Sequence, residues 1–70
     1  MNEYVKNRVH ELRKTEGATQ EEFAKTNGVT RQTVNAIEKG AYAPSLLLGL
    51  KIARYFKKNV EEIFTYENEK

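Results

Sequence analysis

Arg31, Gln32, Thr33 and Asn35 lie within five residues of one another, between Gly28 and Gly40, in the stretch QEEFAKTNGVTRQTVNAIEKG. Their side chains are the planar forks and hydroxyls that read base edges. Arginine pairs with guanine O6 and N7, glutamine or asparagine pairs with adenine N6 and N7, and threonine offers a hydroxyl or a methyl. On one helix face they form a reader for the DNA major groove. Ala36 among them is small enough to let the helix enter the groove and touch a thymine methyl. A merely solvated face would be built more cheaply from Lys and Glu.

Phosphate contacts, which set register without reading sequence, come from the flanks of such a helix. Gln20 at the start of the preceding helix, Lys39 at the end of the reading helix and Tyr42 just beyond it are the candidates. Other chemistry is poorly provided for. With one His, one Ser, no Cys and no Asp, the chain cannot assemble a nucleophilic triad or a His/Cys metal site. No catalytic residue, metal, cofactor or small-molecule ligand is therefore expected. His10 is expected as a surface residue beside Glu11.

The reader must be positioned by the rest of a 70-residue chain with 39% hydrophobic residues, which fits one domain spanning residues 1–70. So short a chain has room for one small core and gains from self-association. Its longest apolar run, Leu46 to Leu50, is too short to span a bilayer, and residues 1–4 lack the features of a secretory signal. A cytoplasmic location without membrane attachment is expected. Net charge is +2, but its distribution matters more. Arg31, Lys39, Lys51, Arg54, Lys57 and Lys58 face only Glu38 in that span, whereas Glu61, Glu62, Glu67 and Glu69 make the end acidic.

Helical periodicity runs through most of the chain. Val5, Val9 and Leu12 predict a first helix from about Tyr4 to Thr15, closed by Gly17. Thr19-x-x-Glu22 is a capping box opening a second helix to about Thr26, which presents Phe23 and Ala24 to the core. Asn27-Gly28 breaks it, and Thr30 caps a third helix to about Lys39 with Val34 and Ile37 inward. Pro44 and Ser45 precede a fourth helix, Leu46 to about Phe56, whose core stripe reads as Leu46, Leu50, Ala53 and Phe56. Asn59-x-x-Glu62 signals a fifth, and Thr65 and Tyr66 favour a short strand in the tail.

The crossing of helices two and three through a short turn is a helix-turn-helix spanning residues 20–39. Residues 5 to 64 resemble the Cro/C1-type, or xenobiotic-response-element, helix-turn-helix regulators. The resemblance is carried by Arg13, Thr19-Gln20-Glu21-Glu22-Phe23-Ala24, Gly28-Val29-Thr30, Gln32, Val34, Ile37-Glu38-Lys39-Gly40, Pro44, Leu50, Ile52-Ala53 and Glu62-Ile63-Phe64. It implies an all-α, five-helix DNA-binding domain with a short C-terminal β-hairpin or strand, similar to short stand-alone repressors of the cytolysin type. It also implies that Gln20 holds a phosphate, that Arg31, Gln32 and Asn35 face bases, and that Arg13 pairs with Glu38 beneath the reading helix. Gly49 departs from the pattern, since family members usually carry Ala or Leu there. It either admits another backbone or loosens the helix.

A core stripe through Leu46 and Leu50 leaves Leu47 and Leu48 outward, and these with Phe64 and Tyr66 form the expected homodimer surface. The expected function is sequence-specific binding of double-stranded DNA at an inverted-repeat operator, with repression of transcription. The alternative is an antitoxin-like module that binds a protein, although the sequence has no long extra segment to wrap one.

Overall fold

In the computed structural model, residues 2–69 are described, in the order β1 (Asn2–Asn7), α1 (Val9–Glu16), α2 (Gln20–Thr26), α3 (Arg31–Glu38), α4 (Leu46–Phe56), α5 (Val60–Ile63) and β2 (Phe64–Glu69). Five helices form as expected, but the chain is not all-α. β1 and β2 pair antiparallel, Tyr4 with Glu67 and Val5 with Tyr66, so the two ends of the described chain close on each other. The strand expected in the tail is present, while Lys70 lies outside the described residues.

The first helix is the main correction. Tyr4 and Val5, expected to open it, lie instead in β1, and the helix begins at Val9. Asn7 sets the boundary. Its Oδ1 accepts from the Val9 amide at 3.0 Å and its Nδ2 donates to the Ile37 carbonyl at 2.8 Å, which ties the strand end to the end of α3. The partner of β1 is some sixty residues away. Local periodicity carries no trace of such a ladder.

The helix starts follow the expected caps. Thr19 and Glu22 form the reciprocal capping box, Thr30 Oγ1 accepts from the Thr33 amide, and Ser45 Oγ accepts from the Leu48 amide. Between α2 and α3 the chain reverses at Gly28, whose φ of 73° suits a residue without Cβ. The buried Asn27 returns its Nδ2 to the Phe23 carbonyl at 2.9 Å, satisfying the end of α2.

The core comprises Val9, Phe23, Ala24, Val34, Ile37, Leu48, Ile52, Ala53, Phe56 and Ile63. Phe23 sits at its centre, edge-on to Tyr55 and stacked on Phe56 at 5.4 Å. In α4 the inward stripe is Leu48, Ile52, Ala53 and Phe56, so the expected facing of the leucines is reversed for three of them. Leu48 is buried, which removes it from the expected dimer surface, whereas Leu46 and Leu50 are exposed along with Leu47. A helix beginning with three leucines and a glycine carries several overlapping apolar stripes. Burial in the core selects the one that contains Leu48. Gly49 is buried, and a Cβ there would meet only Val60 Cγ2, at 3.8 Å. No backbone approaches it closely within the protomer.

Candidate nucleic-acid interface

α3 is held from beneath by Val34 and Ile37, both buried, and from the side by α2. Eight residues make it roughly 12 Å long, about the width of the major groove. Arg31 and Gln32 are exposed on its outer face, Asn35 and Ala36 are half-buried beside them, and Lys39 and Tyr42 are exposed just past its end. Of the expected base-facing and phosphate-facing groups, Arg31, Gln32, Lys39 and Tyr42 are thus the accessible ones. Thr33 is partly withdrawn, because its hydroxyl lies 3.1 Å from Thr30 Oγ1 in the helix cap.

The flank facing α1 and α2 is a connected polar network. Arg13 Nε donates to Glu38 Oε2 at 2.6 Å, its Nη2 donates to Oε1 at 3.1 Å, and its Nη1 donates to the Ala18 carbonyl at 2.8 Å. The Arg13–Glu38 pairing implied by the resemblance is thus formed, with both side chains under a tenth exposed. Burial pushes the Glu38 carboxyl up. Hydrogen bonds from Arg13, Gln20 and His10, with the Arg13 charge, outweigh burial and hold it below the usual carboxylate range. The negative charge that Glu38 puts on α3 is thereby compensated from within the protein.

Gln20 belongs to this network. Its Nε2 donates to Glu38 Oε1 at 3.1 Å and to Asn35 Oδ1 at 3.3 Å, so both amide hydrogens are engaged in the free protein. The phosphate contact expected of its carboxamide would have to break one of these bonds. In this structure Gln20 braces α2 against α3. His10 is exposed as expected, yet its Nδ1 reaches Glu38 Oε1 at 3.1 Å, a contact the sequence did not signal.

Fold and site geometry converge with the relatives. Residues 9–63 match the helix-turn-helix family model. The chain belongs to the Cro/C1-type helix-turn-helix family of DNA-binding transcriptional regulators. It is 55% identical to a helix-turn-helix-type transcriptional regulator of Bacillus subtilis, YgzD, over 93% of this chain and 98% of that protein. It is 49% identical to one from Methanocaldococcus jannaschii, with the same coverage. Among solved structures, the restriction-modification controller protein C.AhdI from Aeromonas hydrophila superposes with a TM-score of 0.71 and 34% identity. The match covers 79% of this chain and 80% of that one.

Within this helix-turn-helix regulator, two residues escaped the reading of the sequence. Asn7 clamps the C-terminal end of α3 through the Ile37 carbonyl. Lys6 lines the same groove, of about 310 Å³, as Lys39 and Gly40, which adds a cation beside the C-terminal end of α3. An Asn ahead of a helix is a weak signal for the first, and only the β1–β2 pairing reveals the second. Among the described residues, no helix is long and apolar enough to cross a membrane and no acidic or histidine cluster could hold a metal.

Proposed function

We propose that this regulator binds an inverted-repeat operator as a homodimer and represses transcription by occluding the promoter, with α3 of each protomer in the major groove. Arg31, Gln32 and Asn35 read bases, and Lys39 and Tyr42 contact phosphates at the rim. The observation that carries the reading is the pairing of two exposed faces on one small fold. One bears polar forks on α3, and the other bears Leu46, Leu47, Leu50 and Tyr66, all about half exposed or more.

Large apolar side chains in such a cluster favour burial against a partner surface. Phe64 contributes from its half-buried position, lining with Leu46, Val5 and Gly49 an apolar groove of about 160 Å³. A second copy related by a twofold axis brings the same groups to both sides of the interface. The two reading helices then lie about 34 Å apart, one turn of duplex. Occlusion requires nothing beyond binding, which suits so small a protein.

The test is selection of duplexes from a random pool followed by gel-shift titration at fixed salt. An inverted repeat with half-site centres about one helical turn apart is expected, together with a steep loss of affinity when two base pairs are inserted between half-sites. Equal binding to all duplexes would refute the proposal.

A further inference from the structure

Lys6 belongs to β1, outside the helix-turn-helix, yet the fold sets it beside the C-terminal end of α3. Lys6 and Lys39 line one groove, both are exposed, and neither forms an ion pair among the described residues. Two uncompensated ammonium groups at one groove favour an anion there.

Two features of this place would oppose an anion, and the fold answers both. A helix C-terminus carries partial negative charge on its unsatisfied carbonyls. Here the Asn35 carbonyl accepts from the Lys39 amide, the Ala36 carbonyl from the Ala41 amide, and the Ile37 carbonyl from the Gly40 amide and from Asn7 Nδ2. Fewer bare carbonyls are left to repel an anion. The Glu38 carboxylate also lines the groove, but it is almost wholly buried and bound to Arg13 at 2.6 Å. Of the charged side chains at the groove, the two lysines are the ones that face solvent. Lys6 is also held in place. Its neighbour Asn7 ties the strand end to the Ile37 carbonyl at 2.8 Å, and Lys6 itself pairs with Thr65 in the ladder.

We infer that Lys6 contacts a phosphate of the duplex backbone, so that β1 extends the DNA-binding surface beyond the helix-turn-helix. The inference rests on the proposed entry of α3 into the major groove with Lys39 at a phosphate, and it adds a second element to that contact. Lysine suits the task, because a point charge on a flexible stem reaches a phosphate oxygen without demanding one geometry. Such a contact strengthens binding and fixes register but carries no sequence information.

The test is gel-shift titration on the selected operator over a range of salt, with the wild type, Lys6→Ala, Lys6→Arg, Lys39→Ala and Lys58→Ala. Lys6→Ala should lower the slope of log affinity against log salt by about 0.9 per half-site, and Lys6→Arg should keep the wild-type slope. Lys58→Ala removes an equal charge from the segment between α4 and α5 and should leave the slope unchanged. Methylphosphonate substitution, one phosphate at a time, should find a position whose neutralisation weakens the wild type by about two- to fivefold and Lys6→Ala by less. Base preferences in random-pool selection should be the same for Lys6→Ala as for the wild type. An unchanged slope in Lys6→Ala, an equal fall in Lys58→Ala or an equal loss in Lys6→Arg would overturn the inference. So would altered base preferences in Lys6→Ala, or no methylphosphonate position that distinguishes it from the wild type. Operator binding survives each of those results, since it stands on enrichment of an inverted repeat and on the slope lost in Lys39→Ala. A wild type that enriches no sequence would instead overturn operator binding itself, and this inference with it.

Discussion

Leu47→Glu separates self-association from folding, because the side chain is 70% exposed in the protomer. Leu and Glu differ little in helix propensity. Position 47 also lies in the first turn of α4, where a carboxylate favours the helix dipole by roughly 0.3–1 kcal/mol. The isolated protomer should therefore keep or slightly raise its stability. In the dimer the balance differs. Burying a whole leucine side chain contributes about 1.5–3 kcal/mol, so burying the exposed seven-tenths contributes about 1–2 kcal/mol. Twofold symmetry counts this twice, so the loss is about 2–4 kcal/mol, or roughly 30- to 700-fold in the dimer dissociation constant. Sedimentation equilibrium over a range of concentrations reads that constant, and thermal melting at a fixed low concentration reads the protomer. A dissociation constant within about threefold of wild type would refute the leucine face as the interface. A large drop in protomer melting temperature would show that Leu47 supports the fold instead.

The other expectations concern stability and reading. Gly49→Ala should stabilise the protomer by about 1 kcal/mol, because the new Cβ meets Val60 at an ordinary 3.8 Å and an interior helical Gly costs about that much relative to Ala. Destabilisation in chemical denaturation would mean that the site admits something closer in the assembled protein. Glu38, whose pKa is lowered on folding from the usual 4.5, contributes stability that is complete above about pH 4.5 and is lost as pH falls through its folded value. The stability gap between wild type and Glu38→Gln should accordingly narrow on acidification from neutrality to about pH 3, and a constant gap in urea titrations would contradict the ion pair. Gln32→Ala should cost about 1–3 kcal/mol at one operator position and little on random DNA. Lys39→Ala should weaken all duplexes alike and lower the slope of log affinity against log salt by about one; an unchanged slope would place Lys39 away from phosphate.

The helix-turn-helix was legible because its determinants are local. Thr19 and Thr30 cap within three residues, Gly28 takes the turn, and Val34 and Ile37 fall on the inner face at helical spacing. The order of α4 was legible but its rotation was not. Leu46, Leu47, Leu48 and Leu50 satisfy more than one apolar stripe, and only packing in the assembled core turned Leu48 inward. The first turn of the expected α1 was lost to β1 for a related reason. Tyr4 and Val5 are apolar enough for either state, and the choice depends on Tyr66 and Glu67 at the other end of the chain.

For the candidate site, residue types and spacing alone determined which side chains stand on the outward face of α3, since a short helix pinned by two inward residues has only one outward side. What each can offer to DNA was decided by tertiary contacts. Gln20, Asn35 and Glu38 come from two helices, and His10 and Arg13 from a third, yet their polar atoms form one network. A hydrogen-bond donor spent inside the protein is unavailable outside it, and that expenditure depends on distances across the fold rather than on spacing along the chain.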